Sequence, residues 1–154
     1  MSGVPLIVGY GNVLRSDDGL GPLAAERLAD DPRVADATVL VRHQLTLDLV
    51  IDMHEANLVV FIDASRDLAP GSIAVQDLTT PAADLGPWTH QVSAAALVAL
   101  AAALYGMTPS AVLVSMGVAS VDAGDRLTPI VQTALPALVD AVVAAIGARQ
   151  PSHA

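Results

Sequence analysis

The run Leu58-Val59-Val60-Phe61-Ile62 is five consecutive apolar residues that end on Asp63. A strand with one wet face alternates apolar and polar side chains. An unbroken apolar run means that both faces are covered, which is the condition of a central strand in a parallel sheet. Leu6-Ile7-Val8-Gly9 and Val112 to Val118 read the same way, and Ala37 to Val41 reads as a further strand. Between these runs the spacing changes to that of helices. Leu20, Leu23, Ala24, Arg27 and Leu28 share one face, Pro22 is tolerated in the first turn, and Asp30-Asp31-Pro32 stops the helix. Leu45 to Met53 is a predicted second helix with Thr46 as its N-cap, and Ser93 to Tyr105 a strongly apolar third. Pro129 to Ile146 is a long fourth, bent at Pro136 and ended by Gly147. Pro70-Gly71 turns the chain into Ser72 to Val75, a predicted edge strand.

Strands that alternate with helices predict an α/β fold, a three-layer α/β/α sandwich. Its sheet is mostly parallel and twisted, with helices on both faces and one antiparallel edge strand. The expected organisation is a single domain over 1-148 and a frayed C-terminal tail over 149-154. In such sheets ligands sit beyond the carboxyl ends of the strands, where the strand order reverses. The loop after Gly9 and the residue after Ile62 both fall on that edge.

Composition narrows the chemistry. The chain has 154 residues, 53% of them hydrophobic but only 3% aromatic, so the core is built from Ala, Val, Leu and Ile. It has no cysteine, which excludes a thiol nucleophile, a thiolate metal site and a disulfide. All seven basic residues are arginine, so a phosphate-binding Walker lysine and Schiff-base chemistry are excluded as well. A net charge of −9 argues against a nucleic-acid partner, which needs clustered cations. The N-terminus does not read as a signal peptide, and Ala94 to Leu104 is too short to cross a bilayer, so a cytoplasmic protein with no membrane partner is expected.

Several motifs fail on inspection. Gly9-Tyr10-Gly11 lacks the third glycine of a dinucleotide fingerprint, Leu14 standing in its place, and Asp17-Asp18 would repel a pyrophosphate. A small-molecule or nucleotide-binding module on a flavodoxin-like sheet is nevertheless the alternative reading. His54-Glu55 begins like a zinc-protease helix, but the second histidine position is Leu58, so it reads as a solvated helix end. Ser115 lacks the glycines of a nucleophile elbow and reads as a small core residue. Asp18, Asp63 and His90 make a better group: two carboxylates and an imidazole form a donor set suited to zinc or nickel. His90 precedes the third helix, where the helix N-terminus favours a neutral imidazole. Each of the three also has a plain structural reading: a helix cap, a turn-starting aspartate, and a locally bonded histidine.

The stretch Gly9-Tyr10-Gly11-Asn12-Val13-Leu14-Arg15-Ser16-Asp17-Asp18-Gly19-Leu20-Gly21 resembles the opening motif of the nickel–iron hydrogenase maturation proteases. That pattern is Gly-x-Gly-Asn-x-Leu, two residues, an acidic pair, then Gly-x-Gly. Phe61-Ile62-Asp63-Ala64, the segment with His90, Ser115 to Val118 and Leu127-Thr128-Pro129 follow in the family's order. The resemblance implies an endopeptidase with no Ser or Cys nucleophile. It cleaves a C-terminal extension from a nickel–iron hydrogenase large-subunit precursor after nickel insertion. It implies that Asp18, Asp63 and His90 are both the catalytic and the metal-binding residues. No permanent cofactor is implied, since nickel arrives with the precursor; zinc or cadmium can take its place in vitro. Where many relatives have an Asp-Gly-Gly-Thr-like turn, this chain has Arg42-His43-Gln44-Leu45-Thr46. That run is similar to members serving soluble, cofactor-reducing hydrogenases, and it raises His43 as an extra site residue or a polar turn.

Overall fold

The structure is a computed structural model and describes residues 3–79 and 92–149 of the chain. Five strands form one sheet: β1 (Pro5–Tyr10), β2 (Thr38–Arg42), β3 (Leu58–Pro70), β4 (Ile73–Asp77) and β5 (Ala111–Gly117). Their order across the sheet is β2-β1-β3-β5-β4. The first four strands in that order run parallel, and β4 pairs antiparallel with β5 at the edge. The helices are α1 (Leu20–Ala29), α2 (Leu49–Glu55), α3 (Ala94–Tyr105) and α4 (Pro129–Arg149).

The apolar runs divide between two cores by the two-residue period of a strand. Ile7 of β1, Val60 and Ile62 of β3 and Val112, Val114 and Met116 of β5 join α1 and α4 on one side. Leu6 and Val8, Val59 and Phe61, and Ala111 join α2 and α3 on the other. This is the expected sandwich, and it explains why the central strands have no polar position to spare. β1 connects outward to β2, whereas β2 returns across β1 to β3, so the strand order reverses between β1 and β3. That crevice is where a ligand is expected.

Three element boundaries differ from the sequence reading. α2 starts at Leu49 rather than near Leu45, and its N-cap is Asp48, which makes no side-chain cap bond. Thr46 instead donates its hydroxyl to Asp48, a local bond that competes with helix entry. α4 continues through Gly147 to Arg149, so glycine alone does not stop a helix still packed through Ala145 and Ile146. β3 runs on past Asp63 to Pro70, with an irregular pairing to β5 between Ser65 and Pro70. α4 also has the length and mean hydropathy of a membrane span, yet its stripe of Val131, Leu135, Leu138 and Val142 is buried against the sheet. It is a core helix. Residues 150–154 of the expected tail lie outside the described residues.

One contact fixes where α1 meets the sheet. A Cβ on Gly21 would lie 2.5 Å from the Tyr10 carbonyl oxygen and 2.6 Å from that of Ile62. A Cβ on Gly9 would lie 2.3 Å from the Gly21 carbonyl oxygen. The helix backbone thus rests on the ends of β1 and β3 with no room for a side chain. Gly21→Ala should destabilise the protein by at least about 2 kcal/mol in urea unfolding, because a clash with backbone outweighs the roughly 1 kcal/mol gained in helix propensity.

Candidate active site

The loop between β1 and α1 is short and almost fully bonded. Gly11, at φ 147, holds a conformation reserved for glycine, and a Cβ there would sit 2.0 Å from the Asp18 carbonyl oxygen. The Gly11 N–H donates to the Arg42 carbonyl, that of Asn12 to Asp18 Oδ2 at 2.7 Å, and that of Leu14 to Asn12 Oδ1 at 2.9 Å. The N–H groups of Arg15, Ser16, Asp17 and Asp18 donate to Asn12, Gly124, Ser120 and Arg15 carbonyls. The amides that would cradle a phosphate are therefore occupied by the protein's own acceptors, which removes the basis of the nucleotide-binding alternative.

Asp18 sits in the 3₁₀ turn Ser16–Gly19, half-buried, with its carboxylate aimed back at Asn12. Asp63 follows Ile62, the last β3 residue in register with β1, and is itself in register with Ser115 of β5. The Tyr10 hydroxyl, at the end of β1, donates to Asp63 Oδ2 at 3.0 Å. Burial is the main cause that pushes the Asp63 carboxyl up to about 6; the negative charge of Asp18 adds to it, while the Tyr10 and Ala64 donors pull the other way. Tyr10 is pushed far above the ordinary phenol range, first by burial and then by Asp63 and Asp18. It is a neutral donor throughout the physiological range. Asp18 and Asp63 are thus close enough to repel one another, a tension that a proton or a cation relieves.

The third expected donor, His90, lies outside the described residues. Among the described residues no three His, Asp or Glu side chains stand together as a metal site. The two carboxylates alone supply hard oxygen donors of the kind a divalent ion accepts.

Asp17 does something different from its neighbour. It is completely buried and is the one buried charged residue among those described. Oδ2 accepts the N–H groups of Ala119 (2.8 Å) and Ser120 (3.1 Å), and Oδ1 that of Thr128 (2.7 Å). The Thr128 hydroxyl lies 3.1 Å from Oδ1 and 2.8 Å from Oδ2. Burial raises its pKa, but the donors of Thr128, Ala119 and Ser120 outweigh burial and hold the carboxyl below the usual range. Neither aspartate caps α1, whose N-cap is Gly19 without a side-chain bond. Ser16, just before, adopts φ 51, a left-handed conformation that costs a non-glycine residue about 1–3 kcal/mol. Its hydroxyl donates to the Asp122 carbonyl at 2.8 Å, and the Arg15 guanidinium donates to the Val121 carbonyl.

Other sequence candidates resolve plainly. Ser115 is not core: it is half-exposed at the site end of β5, because Asp63 beside it ends the apolar row. His54 ends α2 and stacks on Tyr105, with ring centroids 3.8 Å apart, as a solvated helix end. His43 is exposed on the turn after β2. Sequence reasoning missed Tyr10 as the partner of Asp63. Its signal was available, since Tyr10 shares the parity of Leu6 and Val8 and so faces the same side as Asp63. Two open depressions of about 610 Å³ flank the start of α4, one at Pro70, Gly71 and Ile130, the other at Leu23, Arg126 and Gln132; neither includes Asp18 or Asp63.

No family model matches the chain, and no curated protein matches it by sequence. Solved structures do match in fold. The hydrogenase maturating endopeptidase HybD from E. coli aligns over 94% of this chain and 93% of its own, with TM-score 0.75 and 23% identity. The [NiFe] hydrogenase maturation protease HycI from Thermococcus kodakarensis KOD1 aligns over 94% and 92%, with TM-score 0.72 and 21% identity. A hydrogenase 2 maturation peptidase from a Thaumarchaeota archaeon aligns over 94% and 98%, with TM-score 0.69 and 24% identity. The chain shares their fold nearly end to end.

In a carboxyl-carbon NMR titration Asp63 should show a midpoint near 6. Tyr10→Phe, which removes a donor to the ionised form, should move it higher. The folded value lies above the unfolded one, so the stabilisation from protonated Asp63 is present below about pH 4 and lost as pH rises through about 6. The melting temperature of the wild type relative to Asp63→Asn should fall across that window. Asp17 has the opposite sign: its contribution is present above the unfolded value and lost as the pH falls through its lowered folded one.

Proposed function

We propose that this chain is a nickel–iron hydrogenase maturation endopeptidase. It removes the C-terminal extension of a large-subunit precursor after nickel has been inserted, and uses that nickel as its anchor. What supports the reading is that Asp18 lies in the loop after β1 and Asp63 near the end of the β1-paired part of β3, both beside the reversal of strand order. Asp18 stands within a matching Gly9 to Gly21 motif, on a fold shared with enzymes named as hydrogenase maturation endopeptidases.

In this mechanism Asp18, Asp63 and His90 complete the coordination of the nickel held in the substrate. Two carboxylates that repel one another are relieved by a divalent ion, so a loaded precursor binds in preference to an empty one. The same contact acts as a checkpoint, because an empty precursor lacks the anchor. The chain has no cysteine or lysine, and the attacking group is water. Tyr10 holds one oxygen of Asp63 and stays protonated beside it. Burial raises the proton affinity of Asp63 while the site is empty, and a divalent ion seated there would lower it again, leaving both carboxylates free to act as ligands. Metal polarisation of the scissile carbonyl supplies the electrophilic assistance. The protein works in the cytoplasm, keeps no resident metal, and through its His43-Gln44-Leu45-Thr46 turn serves a soluble, cofactor-reducing hydrogenase.

Nickel-loaded precursor incubated with the protein should lose its extension, read by intact mass. Asp18→Ala and His90→Ala should abolish that loss while leaving the far-UV circular dichroism spectrum intact. Normal processing by both variants would sink the metal-docking mechanism. The free protein should bind one zinc or cadmium ion by calorimetry, with the binding lost in Asp63→Ala.

A further inference from the structure

The carboxylate of Asp17 takes no part in the proposed chemistry, yet it is the most heavily bonded side chain near the site. Its donors come from two distant places: Ala119 and Ser120, just beyond β5, and Thr128, immediately before α4. Asp17 and Asp18 occupy one four-residue 3₁₀ turn, so fixing the first carboxylate fixes the backbone from which the second projects. The other end of the loop is held by Asp18 itself, through the Asn12 N–H. Further bonds join the same two segments: Ser16 N–H to the Gly124 carbonyl, Gly124 N–H to the Leu14 carbonyl, and the Ser16 hydroxyl to Asp122.

A turn needed only for stability has cheaper solutions. A buried ion gives little net stability over apolar packing, and a left-handed serine works against it. Ser16 at φ 51 beside a fully buried Asp17 is the combination expected where the direction of one side chain must be set. Thr128 is the residue that transmits this, because its N–H and its hydroxyl both end on Asp17 while Pro129 opens α4.

We infer that Asp17 is a positioning residue: held by Thr128, Ala119 and Ser120, it aims the Asp18 carboxylate at the site and couples that aim to the start of α4. The inference rests on the reading of Asp18 as a ligand of the substrate's nickel, and it deepens that reading by naming what orients the ligand.

The test uses the full chain with Thr128→Val, which removes one hydroxyl donor and keeps the backbone N–H, alongside Thr128→Ser as the conservative rescue and Asp17→Asn. Two readouts are followed. One is the Asn12 amide resonance in a nitrogen–proton NMR spectrum, which reports the bond to Asp18 without any substrate. The other is turnover of nickel-loaded precursor. In Thr128→Val the Asn12 amide should shift, and kcat should fall about tenfold with KM little changed, the usual scale for a group that orients a metal ligand. Thr128→Ser should restore both. Asp17→Asn should move the same amide further, or fail to fold. A Thr128→Val protein with a lower melting temperature but a wild-type Asn12 amide and wild-type kcat would overturn the inference and leave Asp17 a purely structural clamp. If the wild type cleaves no precursor, the proposed function fails, and the Asn12 amide still decides the positioning claim.

Discussion

The backbone of α1 lies directly on the ends of β1 and β3 because neither partner has a side chain at the crossing. Gly9 and Gly21 are the two members of that contact, and a methyl group on either would overlap a carbonyl or a neighbouring side chain. This constraint sets the height of the helix above the sheet, and with it the position of the 3₁₀ turn that precedes the helix. Asp18 comes over the crevice between β1 and β3 for that reason. A helix standing even a few ångströms farther off would separate its carboxylate from that of Asp63.

A second constraint acts across the rim. The segments after β1 and after β5 are far apart in sequence and are tied by Asp17, Ser16 and Arg15 to residues 119 to 128. An ionised carboxylate without water demands donors, and here the backbone N–H groups of two loops and one hydroxyl supply them. The loop after β1 is consequently a stiff frame rather than a flexible connection.

Within this frame the electrostatics are deliberately unbalanced. Burial and the nearby Asp18 raise Asp63, and the Tyr10 phenol and the Ala64 N–H partly compensate. Two neighbouring carboxylates of this kind have a charge that a proton or a divalent ion would offset, which agrees with the role proposed for them.

The three-layer fold was legible in the sequence because continuous apolar runs and helical spacing are local patterns, and Leu58 to Ile62 alone fixes the central strand. Asp18 and Asp63 were legible for the same reason: each stands at the end of a recognisable element. Helix ends were read less well, since Thr46 and Gly147 answer to neighbours that local spacing does not include. The different duties of Asp17 and Asp18 could not be read at all. They are chemically identical and adjacent, and only the packed chain decides that one is sealed among the donors of Ala119, Ser120 and Thr128 while the other is half-buried and takes the Asn12 N–H. Ser115 and Tyr10 were legible only in part. Strand periodicity gave their parity, but which strands become neighbours is set by crossovers and burial, and that pairing is what brings them to Asp63.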